Sequence, residues 1–323
     1  MKSEPIAILC SDIHLSLRQP ACRADDWLSV QKDYLGQVKS LACTVKERWL
    51  GNKNTTGRPV PVLCAGDIFD RWNPPPELIR FALEHLPDGM ICVPGQHDLP
   101  EHRFDQIHRS AYGCLREAGK IRCAATHRRS EVPSRSHIWL EENWAVYGFA
   151  WGEPVEPPLQ DKSIALVHQY VWTIGASYPG APEDSHLANF MKLLRRYKAA
   201  AFGDNHKGFL KRLKTGTTVL NCGGFIRRKS DELDYRPSVG ILHADGSIKL
   251  HHLDTRKDEF RTPEEMAEVA EADMAGFVDE LSRLGEHDMD FRQSVRIAAE
   301  TMDLSGPVKE KVLKCLAEDK TAA

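Results

Sequence analysis

Several absences narrow the class of this chain before any motif is considered. Nowhere in its 323 residues does an apolar run approach the roughly 20 residues of a membrane span. The opening MKSEPIAILCSD holds too short an apolar stretch for a secretory leader and reads as a first strand. No two of the nine cysteines form a C-x-x-C pair, and Cys10, Cys64 and Cys92 stand singly inside apolar runs. That is the usage of buried, reduced thiols in a cytoplasmic protein. The net charge is only −3, which gives no blanket attraction for nucleic acid. Internal repeats and low-complexity segments are also missing.

What remains is an ordinary soluble composition, 41% hydrophobic and 28% charged. The charge is uneven. From Arg261 onward there are 8 Lys and Arg against 15 Asp and Glu, and the preceding chain has 35 against 31. A mildly basic body followed by an acidic segment suits a phosphate substrate.

Short β-rich runs recur at 5–10, 60–65, 89–94, 144–150, 163–168, 199–203, 217–221 and 238–243, the last leading into a hairpin turn at HADGS (243–247). Helical periodicity falls at 25–50, 77–86, 104–118 and 184–197. This alternation predicts an α/β fold with strands buried on both faces. GNKNTTGRP (51–59) and the basic, Ser-rich stretch 122–136 read as loops. After about residue 257 the strands stop. Thr262-Pro263 with Glu264 and Glu265 opens a helix. Further helices are expected at about 289–302 and 307–318, broken by Ser305-Gly306-Pro307. The expected domains are therefore 1–257 and a helical segment, 258–323.

Metal-binding residue types gather where strands end. The first strand runs into Asp12 and His14, two apart on an extended segment, so both side chains should point the same way and reach one ion. Later strands end in Gly66-Asp67-Ile68-Phe69-Asp70, in Gly95-Gln96-His97-Asp98, in His168, and in Gly203-Asp204-Asn205-His206. Singly, each has a plain structural reading, such as a turn, a surface pair or a helix-start carboxylate. Five strand ends in succession, each carrying Asp, His or an amide, describe a metal site at the edge where α/β sheets collect ligands.

In this order the motifs D-x-H, G-D-x-x-D, G-N-H-D/E, a lone His and G-H-x-H resemble those of calcineurin-like metallophosphoesterases, over residues 12 to 206. AGDIFDRWNPPPELI and VPGQHD are especially similar to SbcD-type DNA repair nucleases, which work beside SbcC, an SMC-like coiled-coil ATPase. The resemblance implies two mixed sheets in a sandwich flanked by helices, plus the C-terminal helical segment. It implies one ion on Asp12, His14, Asp67 and His206, and a second on Asp67, Gln96, His168 and Asp204. Mn2+ is the ion it suggests, with Fe2+, Zn2+ or Mg2+ as alternatives. His97 would act at the scissile phosphate with Asp98 orienting it, and Asp70 would fix a ligand or the incoming water.

Two positions depart from the pattern. Gln96 stands where the family has Asn, and Asp204 where it has the first His of G-H-x-H. Both keep donor atoms, so a working site of altered metal preference is expected. Lys207, Lys211, Arg212, Lys214, Arg227, Arg228 and Lys229 are candidate DNA-backbone contacts, and NCGG (221–224) is a turn that could offer N–H groups to phosphate. The capping α/β domain usual in SbcD-type nucleases is not found after residue 257. The resulting expectation is a cytoplasmic, Mn2+-dependent DNA nuclease, of a phage or prophage-like type. Its expected partners are an SbcC-like ATPase docked on the helical segment and a second copy in a homodimer. A phosphatase or small-nucleotide phosphodiesterase, and a non-catalytic binding scaffold, are the alternatives.

Overall fold

The computed structural model describes residues 3–50, 59–125 and 137–267, with isolated helical positions at 299, 309, 311 and 312. The chain divides into two compact units, Met1–Phe260 and Arg261–Ala323. The first unit is built on two mixed, six-stranded sheets.

In one sheet β1 (Pro5–Cys10), β2 (Val62–Cys64), β3 (Met90–Cys92) and β4 (Ile121–Cys123) run parallel. Antiparallel β11 (Ser238–His243) and β12 (Ile248–His252) extend it beyond β1. The other sheet has the order β5-β6-β7-β8-β10-β9. Its parallel centre is β6 (Ala145–Phe149), β7 (Ser163–His168), β8 (Ala199–Gly203) and β10 (Thr218–Asn221). Its antiparallel edges are β5 (Ile138–Trp139) and β9 (Phe209–Arg212).

Strand alternation sorts the core. Ala7, Leu9, Leu63 and Ile91 of the first sheet meet Val146, Ile164, Leu166 and Leu220 of the second in an apolar layer between the sheets. Ile8, Cys10, Val62 and Cys64 face outward, under α1 (Trp27–Leu50), α2 (Pro76–His85) and α3 (Ala111–Glu117). On the far side α4 (Leu187–Leu194) lays Leu187, Phe190 and Leu194 on Tyr147, Val167 and Phe202. Apolar residues on both faces of the central strands are what a four-layer α-β-β-α sandwich demands.

The eight expected strands are all present. Stretch 104–118 forms two pieces, a 3-10 helix Phe104–Arg109 and then α3, because the Ser110 hydroxyl accepts the Gly113 N–H and starts a new helix. The expected loop at 122–136 begins inside β4, and its residues 126–136 lie outside the described ones. In the second unit the Thr262 hydroxyl accepts the Glu265 N–H, and the Glu265 carboxylate accepts the Thr262 N–H at 2.7 Å. This capping box opens a helix over 263–267. The helices expected at 289–302 and 307–318 lie outside the described residues, apart from the helical positions named above. Among the described residues no helix is long and apolar enough to cross a membrane.

Candidate metal centre

The carboxyl ends of β1, β2 and β3 supply Asp12, His14, Asp67 and Gln96. Those of β7 and β8 supply His168, Asp204 and His206. The site therefore draws on both sheets. How the first pair is aimed differs from expectation. β1 stops at Cys10, and Asp12 and His14 sit at φ +52° and +49°, so left-handed turns aim them and strand alternation does not. Asp67 (φ +53°) and Asp204 (φ +75°) share this conformation, which non-glycine residues rarely adopt and which gathers at functional sites.

The side chains form one continuous cluster. The Nε2 atoms of His14 and His206 are 3.1 Å apart. Asp12 Oδ1 lies 4.0 Å from His14 Nε2 and 3.9 Å from His206 Nε2. Asp67 Oδ2 lies 3.7 Å from His14 Nε2 and 3.3 Å from His168 Nε2, which puts this carboxylate between two groups of donors. On the second side Gln96 Oε1 is 2.7 Å from His168 Nε2, and Gln96 Nε2 donates to Asp204 Oδ1 at 2.7 Å. Three triads have donor atoms in mutual reach: Asp12–His14–His206, His14–Asp67–His97 and Asp12–Asp67–His168. Asp204 belongs to none of them. Its carboxylate meets the Gln96 amide, and its N–H donates to Asp12 Oδ1 at 2.9 Å.

Glycines make the close approach possible. A Cβ on Gly95 would fall 2.0 Å from Asp67 Oδ1 and 2.6 Å from His168 Nε2. One on Gly66, at φ +99°, would fall 2.1 Å from His168 Nδ1.

The electrostatics fit a bound cation. Asp12 Oδ2, Asp67 Oδ2 and His14 Nδ1 are buried without hydrogen-bond partners. Such atoms are costly unless an ion satisfies them. Burial pushes the Asp12 carboxyl up to about 7, with Asp67 adding to the effect. Burial also works to raise Asp67, but His168 and then His14 hold it well below the usual carboxylate range. His14 is pushed far down by burial, and His206 falls to about 4 through burial and the charges of Lys229 and Arg228. Neutral imidazoles are the form that binds metal. His168 behaves oppositely. Burial opposes its charge, yet Asp67, Asp12 and Asp204 together raise it to about 10. Its Nδ1 points at the Ala65 carbonyl, 2.6 Å away, so Nε2 is the nitrogen that faces the cluster. Asp12, His14, Asp67 and His168 are thus candidate ligands for divalent metal, in a carboxylate and imidazole donor set.

The residues beside the cluster take partly different parts from those expected. His97 is exposed, its N–H donates to Asp67 Oδ1 at 3.1 Å, and its Nδ1 donates to the Asp70 carbonyl at 2.9 Å. Asp70, not Asp98, therefore holds the His97 ring. Asp98 is fully buried and accepts the N–H groups of Gly95, Ile68 and Phe69, locking the two motif loops together. The Asp70 carboxylate is 3.7 Å from His14 Nδ1 and carries the Arg228 guanidinium at 2.8 Å. Sequence reasoning gave Asn205 no part. It is buried between the two motif residues and its amide donates to the Val171 and Ala176 carbonyls, both at 2.9 Å. A polar residue bracketed by Asp and His was the only trace of that anchor.

Of the candidate backbone contacts, Arg228 and Lys229 are close enough for their charge to act on His206, and Lys207 follows His206 in the chain. Lys207 donates to the Ser177 carbonyl and sits over the Tyr178 ring. Arg227 does not serve. Its guanidinium is held by Asp258 at 2.7 Å and by two carbonyls, with 11% of the side chain exposed. Lys211 and Arg212 are exposed on β9, but that strand runs away from the metal edge, and Arg212 pairs with Thr218 at the start of β10. Lys214, in the turn beyond, is carried the same way. The N–H groups of Gly223 and Gly224 are taken by Asn221 Oδ1 and the His206 carbonyl, so the NCGG turn braces the site instead of offering donors to phosphate.

A family profile described as calcineurin-like phosphoesterase matches residues 7–208. No curated protein matches the chain. Among solved structures the chain is similar to the 5'-nucleotidase of Candida albicans SC5314, at 11% identity and a TM-score of 0.45. The match covers 78% of this chain and 52% of that one, so this chain spans about half the nucleotidase's length. It is also similar to a metallophosphoesterase from Sphaerobacter thermophilus, at 16% identity and TM-score 0.32, covering 82% and 93% of the two chains. A third is the phosphopantetheinyl hydrolase of Mycobacterium tuberculosis, at 11% identity and TM-score 0.40, covering 78% and 97%.

Proposed function

The chain belongs to the calcineurin-like phosphoesterase family, and from that premise we propose that it is a metal-dependent hydrolase, a two-metal phosphodiesterase acting on DNA. The observation that carries the two-metal reading is Asp67, whose Oδ2 stands between His14 and His168 with no hydrogen-bond partner. The choice of DNA is supported by the likeness of AGDIFDRWNPPPELI and VPGQHD to SbcD-type nucleases.

Divalent ions held there, with Mn2+ our choice, would supply Lewis-acid polarisation of the phosphoester and a nucleophile at neutral pH. The protein's own groups do the remainder. Asp12, His14, Asp67 and His206 would hold one ion, and Asp67, His168 and Gln96 the other, with Asp204 orienting the Gln96 amide. Because His97 Nδ1 donates to the Asp70 carbonyl, its Nε2 is the nitrogen left to face the leaving oxygen, to which the doubly protonated ring gives its Nε2 proton. Arg228, tethered to Asp70, adds positive charge beside the phosphate.

The test is incubation with labelled single- and double-stranded DNA and Mn2+, with His97→Ala as control. Metal-dependent cleavage that falls about 100-fold or more in the variant is expected for loss of a proton donor. Turnover of aryl phosphate monoesters with intact DNA would overturn the DNA reading. For partners we propose an SMC-like coiled-coil ATPase docked on the C-terminal unit, Arg261–Ala323. Equal recovery of that partner by full-length protein and by a chain ending near residue 258 would remove that part.

A further inference from the structure

We propose that Trp151 and His102 form a stacking platform for an unpaired nucleobase of the DNA strand, next to the scissile phosphate. This rests on the nuclease reading above. β6 lies parallel to β7 with Phe149 opposite Val167, so Trp151 emerges at the edge where His168 enters the metal cluster. Its backbone N–H donates to the Pro94 carbonyl at 3.2 Å, and Pro94 directly precedes Gly95-Gln96-His97. The Glu153 carboxylate accepts the Ala150 N–H at 2.9 Å and closes the turn that carries the indole.

His102 arrives from the other strand end. Tight turns link Gln96 to it, with Leu99 N–H donating to Gln96 and His102 N–H to Leu99. The last step uses two left-handed residues in a row, Glu101 at φ +51° and His102 at φ +58°. Side chains seldom accept that conformation, and here it brings the imidazole against the indole. The ring centroids are 5.2 Å apart and the planes cross at 82°. Rings that meet as a corner leave each other a face to offer. Both residues are exposed, Trp151 at 37%.

An open indole and imidazole, fixed to the residue before the catalytic motif, suit the flat face of a base. Aromatic stacking reads any base but requires that it be splayed out of a duplex. The platform therefore assigns a substrate class: DNA with an unpaired nucleotide beside the cleavage point, such as a single strand or a frayed end.

The test walks one abasic residue along a single-stranded oligonucleotide and measures KM and kcat at each position. Wild-type protein is expected to show one or two positions where the missing base raises KM about 5- to 100-fold. Trp151→Ala should raise KM on the intact strand and lose sensitivity at those positions, and Trp151→Phe should restore most of both. His102→Ala should give a smaller change of the same kind. If Trp151→Ala cleaves with wild-type KM and the wild-type abasic profile, the platform is refuted while the nuclease reading stands. If the wild type cleaves no DNA, the nuclease reading fails and the platform with it.

Discussion

At the scale of single residues, the second metal position sets this site apart. Asp204 replaces an imidazole with a carboxylate and spends it on the Gln96 amide at 2.7 Å. Asp204→His should remove a negative charge, free Gln96 and shift preference toward softer ions such as Zn2+. Metal content after growth in mixed metals measures this. Unchanged selectivity, or a gain of several orders of magnitude in activity over a wild type holding one ion, would contradict a working second site. His168 gives a pH prediction. Its pKa in the metal-free protein is raised from 6.5 to about 10. Its charge therefore stabilises the metal-free fold fully below pH 6.5, and that contribution is lost as pH rises toward 10. The melting temperature of chelator-treated protein should fall over that window. Bound metal, which must displace the proton, should flatten the fall. An equal slope with and without metal would exclude His168 as a ligand.

At the scale of elements, the strand ends were legible because their ligands follow apolar runs in a fixed order. What aims the ligands was not. The left-handed turns at Asp12, His14, Asp67 and Asp204 leave only a weak sequence mark, since Asp and His tolerate positive φ better than most residues but stand far more often in ordinary backbone. The strands not read from the sequence were β4, β5, β9 and β12, which are short or half-exposed edge pieces without an apolar run. Missing β9 led directly to the misplaced Lys211 and Arg212, because its antiparallel direction carries them from the site. Asp98 was misread for a related reason. Adjacency to His97 suggested a partner for the ring, whereas its bonds reach the β2 loop. Gly95 yields the prediction at this scale. Gly95→Ala places a methyl 2.0 Å from Asp67 Oδ1, so metal content should fall toward zero while the circular dichroism spectrum is kept. Full metal content in that variant would show that the cradle yields.

For the whole molecule, the two sheets meet through a buried apolar layer, and their carboxyl ends would be joined by shared ions. The first sheet brings Asp12, His14, Asp67 and Gln96, and the second brings His168, Asp204 and His206. Metal should then act as a cross-link between sheets. By mass action, free Mn2+ at 100 times its Kd adds about 2.7 kcal/mol of stability, a rise in melting temperature of about 5–10 °C for a domain of this size. A melting temperature that ignores both chelator and Mn2+ would place the ions elsewhere.

Asp67 would be shared by two ions, and the measurement that bears on this is a metal count during titration of chelated protein. Wild-type protein should saturate at two divalent ions per chain, with phosphodiester hydrolysis rising as the second binds. Asp67→Asn should bind one ion or none and lose about 1,000-fold or more in rate, the scale expected when a preorganised charge-stabilising group is removed. Two ions and near-normal hydrolysis in Asp67→Asn would show that Asp67 is not shared between two ions.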